Sequence, residues 1–171
     1  QLDAVEPNAA HRAIAALERL PDVEIVTQNV DDLHERAGST RVLHLHGELR
    51  KARSTLDAGW VIPLETPEIR LGDRCPRGGQ LRPHIVWFGE EVPLFDGAVE
   101  IVRSADVLLV VGTSLAVYPA AGLVDEAPPL ARKYWVDPQA HPLPGVRNLI
   151  VIREKAGVAV PRLAAEWGVR D

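Results

Sequence analysis

Polar side chains with catalytic or ligand-binding chemistry follow four short apolar runs of the sequence. Gln28 and Asn29 follow VEIVT, His46 follows VLHL, Gly112 to Ser114 follow VLLVV, and Asp137 follows KYWV. Amides, hydroxyls, a carboxylate and an imidazole can together bind a polar ligand and move a proton. Any one of these endings is adequately explained as a polar turn, but four endings at one edge of a sheet predict a ligand site.

An imidazole and a glycine-containing turn are the strongest candidates within this set. His44 and His46 alternate with leucines, so both rings project to one face of a strand. We interpret His44 as structural, whereas His46 lies at the strand end beside Gly47, where a general base can reach a substrate. The turn Gly112-Thr113-Ser114 is the best candidate cradle for a phosphate or ribose, because glycine lets a ligand approach the backbone.

Two aspartates and the cysteine allow other interpretations. Asp31 and Asp32 can form a helix N-cap pair, with Asp31 capping a short helix from Leu33. A metal hydrolase site is an alternative, but its donors lack a recognised ligand spacing; they would be the two aspartates with His34, His44 or His46. Cys75 has no nucleophile signature around it and is expected to be a packed or loop thiol.

Short apolar runs alternate with helical patterns, which predicts a doubly wound, Rossmann-like α/β fold: a parallel sheet with helices on both faces. Helices are predicted over about 7–20, 94–104, 120–126 and 158–167, and strands over 23–27, 42–46, 107–111, 133–136 and 149–152. A further apolar segment spans 84–90. Prolines and glycines interrupt residues 48–83, which are expected to form a small loop-rich insertion between the two parts of the main domain, 1–47 and 84–171.

Composition excludes several classes of protein. The 171 residues carry 24 acidic and 19 basic side chains, a formal charge of −5, which disfavours a nucleic-acid partner. No apolar run approaches the roughly 18 residues needed to cross a bilayer, so no membrane association is expected. The single cysteine excludes an internal disulfide and favours a cytoplasmic setting. Because the chain contains no methionine, we expect a processed chain or part of a longer protein.

Four ordered blocks resemble the signature blocks of the sirtuins, which are NAD-dependent protein lysine deacylases. They are TQNVDDLHERAGS (27–39), LHLHGEL (43–49), RPHIVWFGE (82–90) and GTSLAVYPAA (112–121). The resemblance runs from PNAAH near the start almost to the C-terminus. It implies NAD as cofactor, an acyl-lysine protein or peptide as substrate, and deacetylase or desuccinylase chemistry. Its products would be nicotinamide, deacylated lysine and O-acyl-ADP-ribose.

The resemblance also implies a role for each matching residue. His46 would be the catalytic general base, with the nicotinamide end of NAD contacted by Gln28, Asn29 and Asp31. The adenosine end would be held by Gly112, Thr113, Ser114, Asp137, Lys155 and Ala156, although the family usually has asparagine where Asp137 stands. The acyl-lysine tunnel and peptide edge would be formed by Ile85, Val86, Trp87 and Phe88, with Val117 on the other side.

Two departures from the family pattern modify these expectations. Most sirtuins bind structural zinc through two Cys-x-x-Cys pairs, whereas only Cys75 is present here, so a zinc-less bacterial branch and no bound metal are expected. The glycine-rich GAGxS segment and the first, central strand are not found in the sequence, so the sheet is expected to be incomplete at its N-terminal side. A truncated, non-catalytic module that binds NAD, ADP-ribose or peptide is therefore the alternative function.

Overall fold

The polypeptide alternates short strands with helices along its whole length. The computed structural model describes residues 2–66 and 68–169. In chain order the strands are β1 (Ile25–Thr27), β2 (Val42–His44), β3 (Gly47–Ser54), β4 (Val61–Pro63), β5 (Leu81–Ile85), β6 (Val107–Val111), β7 (Arg132–Val136) and β8 (Leu149–Ile152). The helices are α1 (Ala9–Leu17), α2 (Leu33–Arg36), α3 (Phe95–Arg103), α4 (Leu123–Glu126) and α5 (Ala156–Glu166), with short 3-10 turns at Leu2–Ala4 and Ala120–Gly122. Within the described ranges, no helix is long and apolar enough to cross a membrane.

The parallel strands form two groups. One contains β1 and β2, and the other has the order β6-β7-β8. β6 and β8 have the predicted bounds because each is a continuous apolar run, and such runs suit strands covered on both faces. The α/β class with parallel strands and helices is therefore confirmed. No ladder joins the two groups among the residues described, and the absence of a central first strand stays a prediction.

Two predicted apolar segments contain turns that their composition does not reveal. β2 ends at His44, and the chain bends through Leu45 and His46 into β3. The Leu45 amide still donates to the Thr27 carbonyl at 2.9 Å, so β2 follows its ladder up to that bend. The segment 84–90 is extended only to Ile85, because the Glu90 amide donates to the Trp87 carbonyl at 3.0 Å and closes a turn.

The middle of the chain contains more regular structure than its composition predicts. β3, β4 and β5 form an antiparallel sheet in the order β4-β3-β5. β3 includes the charged run Arg50 to Arg53, which the sequence analysis read as irregular. Lys51 and Arg53 are accommodated because each faces a carboxylate, on Glu48 at 2.7 Å and on Glu90 at 2.8 Å. The domain boundaries given above stay a prediction.

Two clusters of buried apolar side chains pack the helices against the two groups of parallel strands. α1 packs closely on α5 through small side chains, and this cluster includes Val136 of β7; its helical members are Ala10, Ala13, Ala16, Leu17, Ala159, Val160, Leu163 and Ala164. The second cluster joins Leu45, which is 1% exposed, to α3 and α4, with Val26 and Leu108 packed against it. Because Leu45 precedes His46, the second cluster anchors the bend that carries the candidate base.

Candidate functional site

His46 is half-buried in the bend between β2 and β3, with one ring nitrogen fixed to the backbone. Its Nδ1 lies 3.0 Å from the carbonyl oxygen of Gln28. A carbonyl only accepts hydrogen bonds, so Nδ1 carries the proton and donates. In the neutral ring Nε2 then has no proton, which is the state that a general base requires.

The backbone around His46 is also tied to neighbouring segments. The His46 carbonyl accepts the Val86 amide at 2.9 Å, which joins the bend to the segment after β5. The next residue, Gly47, has φ +84°, and a Cβ built there would lie 2.0 Å from the carbonyl oxygen of His84. Only glycine therefore allows β3 and β5 to approach this closely beside His46.

The segment after β1 is held by His44 and by its own side chains. His44 is buried, with Nδ1 3.2 Å from the Asn29 carbonyl and Nε2 2.8 Å from Glu35 Oε1. The Asp31 carboxylate accepts the Leu33 amide at 3.1 Å at the start of α2. His44 thus lies in a structural position, in line with its interpretation above, whereas its link to Glu35 depends on α2 and has no signal in the strand pattern.

The donors of the metal hydrolase alternative do not come together. Asp32 Oδ2 lies 2.5 Å from Arg50 Nε, and Asp32 Oδ1 lies 3.9 Å from Arg36. Among residues 2–66 and 68–169, no three His, Cys, Asp or Glu side chains are placed to hold a metal ion. The described residues therefore supply no donor set for metal-assisted hydrolysis.

Two further histidines form a pair that the sequence analysis missed. The rings of His11 and His34 meet edge to face with centroids 5.1 Å apart. Burial lowers the pKa of His34, and the charge of His11 lowers it further. Burial is also the main cause of the lowered pKa of His11, which the nearby Asp31 partly offsets. Both rings are therefore neutral near pH 7, and the Nδ1 of His11 accepts the Asn8 amide at 3.2 Å.

The turn after β6 has the open backbone expected of a ligand cradle. Gly112 has φ +64°, its amide donates to the Val136 carbonyl at 3.0 Å, and a Cβ built there would meet nothing within 4 Å. The Thr113 carbonyl accepts the indole N–H of Trp135 at 3.0 Å, and Trp135 is 1% exposed. This hydrogen bond holds the turn in place. The indication of this contact in the sequence is the tryptophan within the run KYWV.

The register of the β6-β7-β8 sheet brings three of the predicted loops to one edge. Val111 pairs with Val136, and Val136 pairs with Ile152. Gly112 and Asp137 therefore leave adjacent strands at the same level, and Lys155 follows three residues after Ile152. The Asp137 carboxylate accepts the Gln139 amide at 2.7 Å. Lys155 directly precedes α5, and half-buried Ala156 is its first residue.

The predicted substrate residues differ in exposure. Ile85 is 8% exposed and Val86 is half-buried, whereas Trp87 is 54% and Phe88 96% exposed. Val117, in the turn after β6, is 42% exposed. The apolar surface available to a ligand thus comes from Trp87, Phe88 and Val117, while Ile85 belongs to the core.

Comparison with known proteins gives a consistent result. The Sir2 family model matches residues 1–119. The NAD-dependent protein deacylase of Aggregatibacter actinomycetemcomitans is 56% identical over 133 residues, covering 78% of this chain and 64% of that protein. That of Helicobacter pylori strain J99 is 51% identical over 156 residues, covering 91% and 66%. The chain thus spans about two thirds of the length of these relatives.

Solved structures are similar over nearly the whole chain. A Sir2 homologue in complex with NAD has a TM-score of 0.84 and 40% identity, covering 96% of this chain and 66% of that one. A complex of Sir2 with a p53 peptide and NAD+ has a TM-score of 0.78 and 28% identity, covering 98% and 72%.

Proposed function

The chain belongs to the Sir2 family, and on that premise we propose that it functions in the NAD-dependent removal of acyl groups from protein lysines, with His46 as the general base. The observation that carries this proposal is the hydrogen bond from His46 Nδ1 to the Gln28 carbonyl, 3.0 Å long. That bond selects the tautomer whose Nε2 can accept a proton. The names of the curated relatives support the same activity.

The open backbone of the turn after β6 fits one end of NAD. Gly112 leaves its backbone open on the side where a Cβ would project, as close approach by a ribose or phosphate requires. We assign the adenosine end to the edge that carries Gly112, Asp137 and Lys155, and the nicotinamide end to Gln28, Asn29 and Asp31. When bound, NAD supplies a ribose carbon that carries nicotinamide as a leaving group.

The Nε2 atom of His46 is proposed to accept a proton from a hydroxyl group. The ring then becomes an imidazolium, and its Nδ1–H continues to donate to the Gln28 carbonyl. This contact keeps the orientation of the ring through proton transfer. The Val86 amide, bonded to the His46 carbonyl, keeps the backbone of the base in register with the segment that carries Trp87 and Phe88.

We propose an acyl-lysine in a protein or peptide as the second substrate. Trp87 and Phe88 offer apolar surface for the acylated side chain, and Val117 offers more from the turn after β6. We propose that the peptide lies along residues 86–88 in an extended form, held by main-chain contacts that depend little on its sequence.

Turnover by the full chain tests this function. With an acetyl- or succinyl-lysine peptide, we expect nicotinamide and deacylated peptide to form in equal amounts, and neither to form without NAD. Mass spectrometry of the peptide and chromatography of nicotinamide measure both products. NAD or peptide binding without turnover would instead favour the non-catalytic module. Deacylation that proceeds without NAD and is inhibited by a chelator would favour the metal hydrolase.

We propose that the antiparallel sheet holds no structural zinc. Cys75 is buried, and its Sγ accepts the Ser54 hydroxyl at 3.2 Å, a contact that lowers the pKa of the thiol. We expect elemental analysis of the dialysed full chain to find far less than one zinc per chain, and a chelator to leave the unfolding midpoint unchanged. One tightly held zinc per chain would refute this. A single reduced thiol is also consistent with the proposed cytoplasmic setting.

A further inference from the structure

Glu90 connects the exposed Trp87–Phe88 turn to the antiparallel sheet. Its Oε1 lies 2.6 Å from Arg82 Nη1 on β5, and its Oε2 lies 2.8 Å from Arg53 Nη2 on β3. Oε2 also accepts the backbone amide of Trp87 at 3.1 Å, while the Glu90 amide donates to the Trp87 carbonyl at 3.0 Å. One side chain therefore binds the turn and two strands at once.

The two arginines explain why a carboxylate is favourable at this position. Arg53 and Arg82 are direct cross-strand partners in the β3–β5 ladder, and like charges in that position repel. The Glu90 carboxylate lies between them and offsets the repulsion. The side chain of Arg53 is 13% exposed and that of Arg82 28%, so these ion pairs are more shielded from water than ordinary surface pairs.

The charge of Glu90 is stable over a wide pH range. Hydrogen bonds from Arg82 and from the Trp87 amide lower its pKa from 4.5 to about 2. Because the folded-state pKa is depressed, the stabilising contribution is complete above about pH 4.5 and is lost as the pH falls toward 2. The contact is therefore fully formed at neutral pH.

Side-chain packing holds the turn only weakly. Phe88 is 96% exposed and Trp87 54% exposed, and the following Gly89 has φ +88°. With few buried contacts, the direction of the two aromatic side chains depends on the backbone of the turn, and that backbone is bound to Glu90. We propose that Glu90 is a positioning residue for the acyl-lysine substrate: through the Trp87 amide it orients Trp87 and Phe88. This inference rests on the function proposed above.

Kinetics of the full chain carrying E90Q test the inference. The amide keeps the shape of the side chain but loses its charge, and we expect the KM for the acyl-peptide to rise about tenfold. Since Glu90 touches no reacting group, kcat and the KM for NAD should stay within about twofold. The matched control is E126Q, which removes another carboxylate paired with an arginine, Arg103, at 2.6 Å between α3 and α4. It should leave all three constants unchanged.

An unchanged peptide KM in E90Q would overturn the inference. A fall in kcat together with an equal rise in both KM values would also overturn it, because that pattern indicates general disruption of the fold. Amide hydrogen exchange gives a readout independent of turnover: the Trp87 amide should exchange faster in E90Q than in E126Q or the unmodified chain. Equal exchange in all three chains would refute the positioning role. A chain without turnover would refute the proposed function alone, since the exchange measurement still reports on Glu90.

Discussion

Replacing His46 by alanine is expected to lower acyl-peptide turnover by about 10²- to 10⁴-fold, the usual contribution of a positioned general base. The loss should appear in kcat at saturating NAD and peptide, because the imidazole is needed for proton transfer more than for binding. Nicotinamide release under steady-state conditions measures it. Added imidazole should restore part of the rate in H46A, since the truncated side chain leaves room near the Gln28 carbonyl that the ring normally contacts.

The fold of H46A should remain intact. His46 is half-buried, and its main-chain contact with Val86 does not depend on the side chain. We therefore expect the urea unfolding midpoint to shift little, and the affinity for NAD to stay near that of the unmodified chain. Turnover at the original rate in H46A would mean that another group accepts the proton. A rate loss that imidazole cannot restore, together with a collapsed unfolding midpoint, would show that His46 is mainly structural.

Replacing Gly47 by alanine is expected to destabilise the protein by at least about 3 kcal/mol, a large effect for one methyl group. The added Cβ would lie 2.0 Å from the carbonyl oxygen and 2.8 Å from the carbonyl carbon of His84. Both atoms belong to the backbone of β5, so neither can rotate away. The positive φ of +84° adds a conformational cost for any L-residue with a side chain.

Gly38→Ala is a matched control for that prediction. Gly38 has φ +106°, but a Cβ built there would meet nothing within 4 Å. It carries the conformational cost without the collision, so we expect about 1 kcal/mol. Urea unfolding of both variants measures the difference. Equal losses would show that the collision with the backbone of His84 adds nothing to the conformational cost.

The predictable parts of the fold are those specified by local sequence. β6 and β8 were predicted with correct bounds because each is a continuous apolar run. α1 begins next to Asn8, whose side chain accepts the Ala10 amide at 2.9 Å, close to the predicted start. β3 was not predicted, because Arg53 is accommodated by Glu90, 37 positions further along the chain. No window of neighbouring residues contains that information.

The candidate site also contains parts that local sequence predicts and parts that it does not. His46 and the Gly112 turn could be found because they follow apolar runs, where a parallel sheet gathers its loops. The supporting contacts could not be found, because they join distant segments: Trp135 donates to the Thr113 carbonyl across 22 positions. The signature blocks indicate which residues belong together, but not which hydrogen bonds orient them.

The pairing of the His46 carbonyl with the Val86 amide makes the middle of the chain part of the candidate active centre. β3 leaves directly from the bend that holds His46, and β5 returns directly to the surface where Trp87 and Phe88 are exposed. The same antiparallel ladder thus sets the separation between the proposed general base and the two exposed aromatic rings. An insertion or deletion at the β3–β4 turn leaves that separation unchanged, whereas a register slip of one residue between β3 and β5 alters it. The segment can therefore vary freely in length at the β3–β4 turn. The register between β3 and β5 beside His46 has no such freedom.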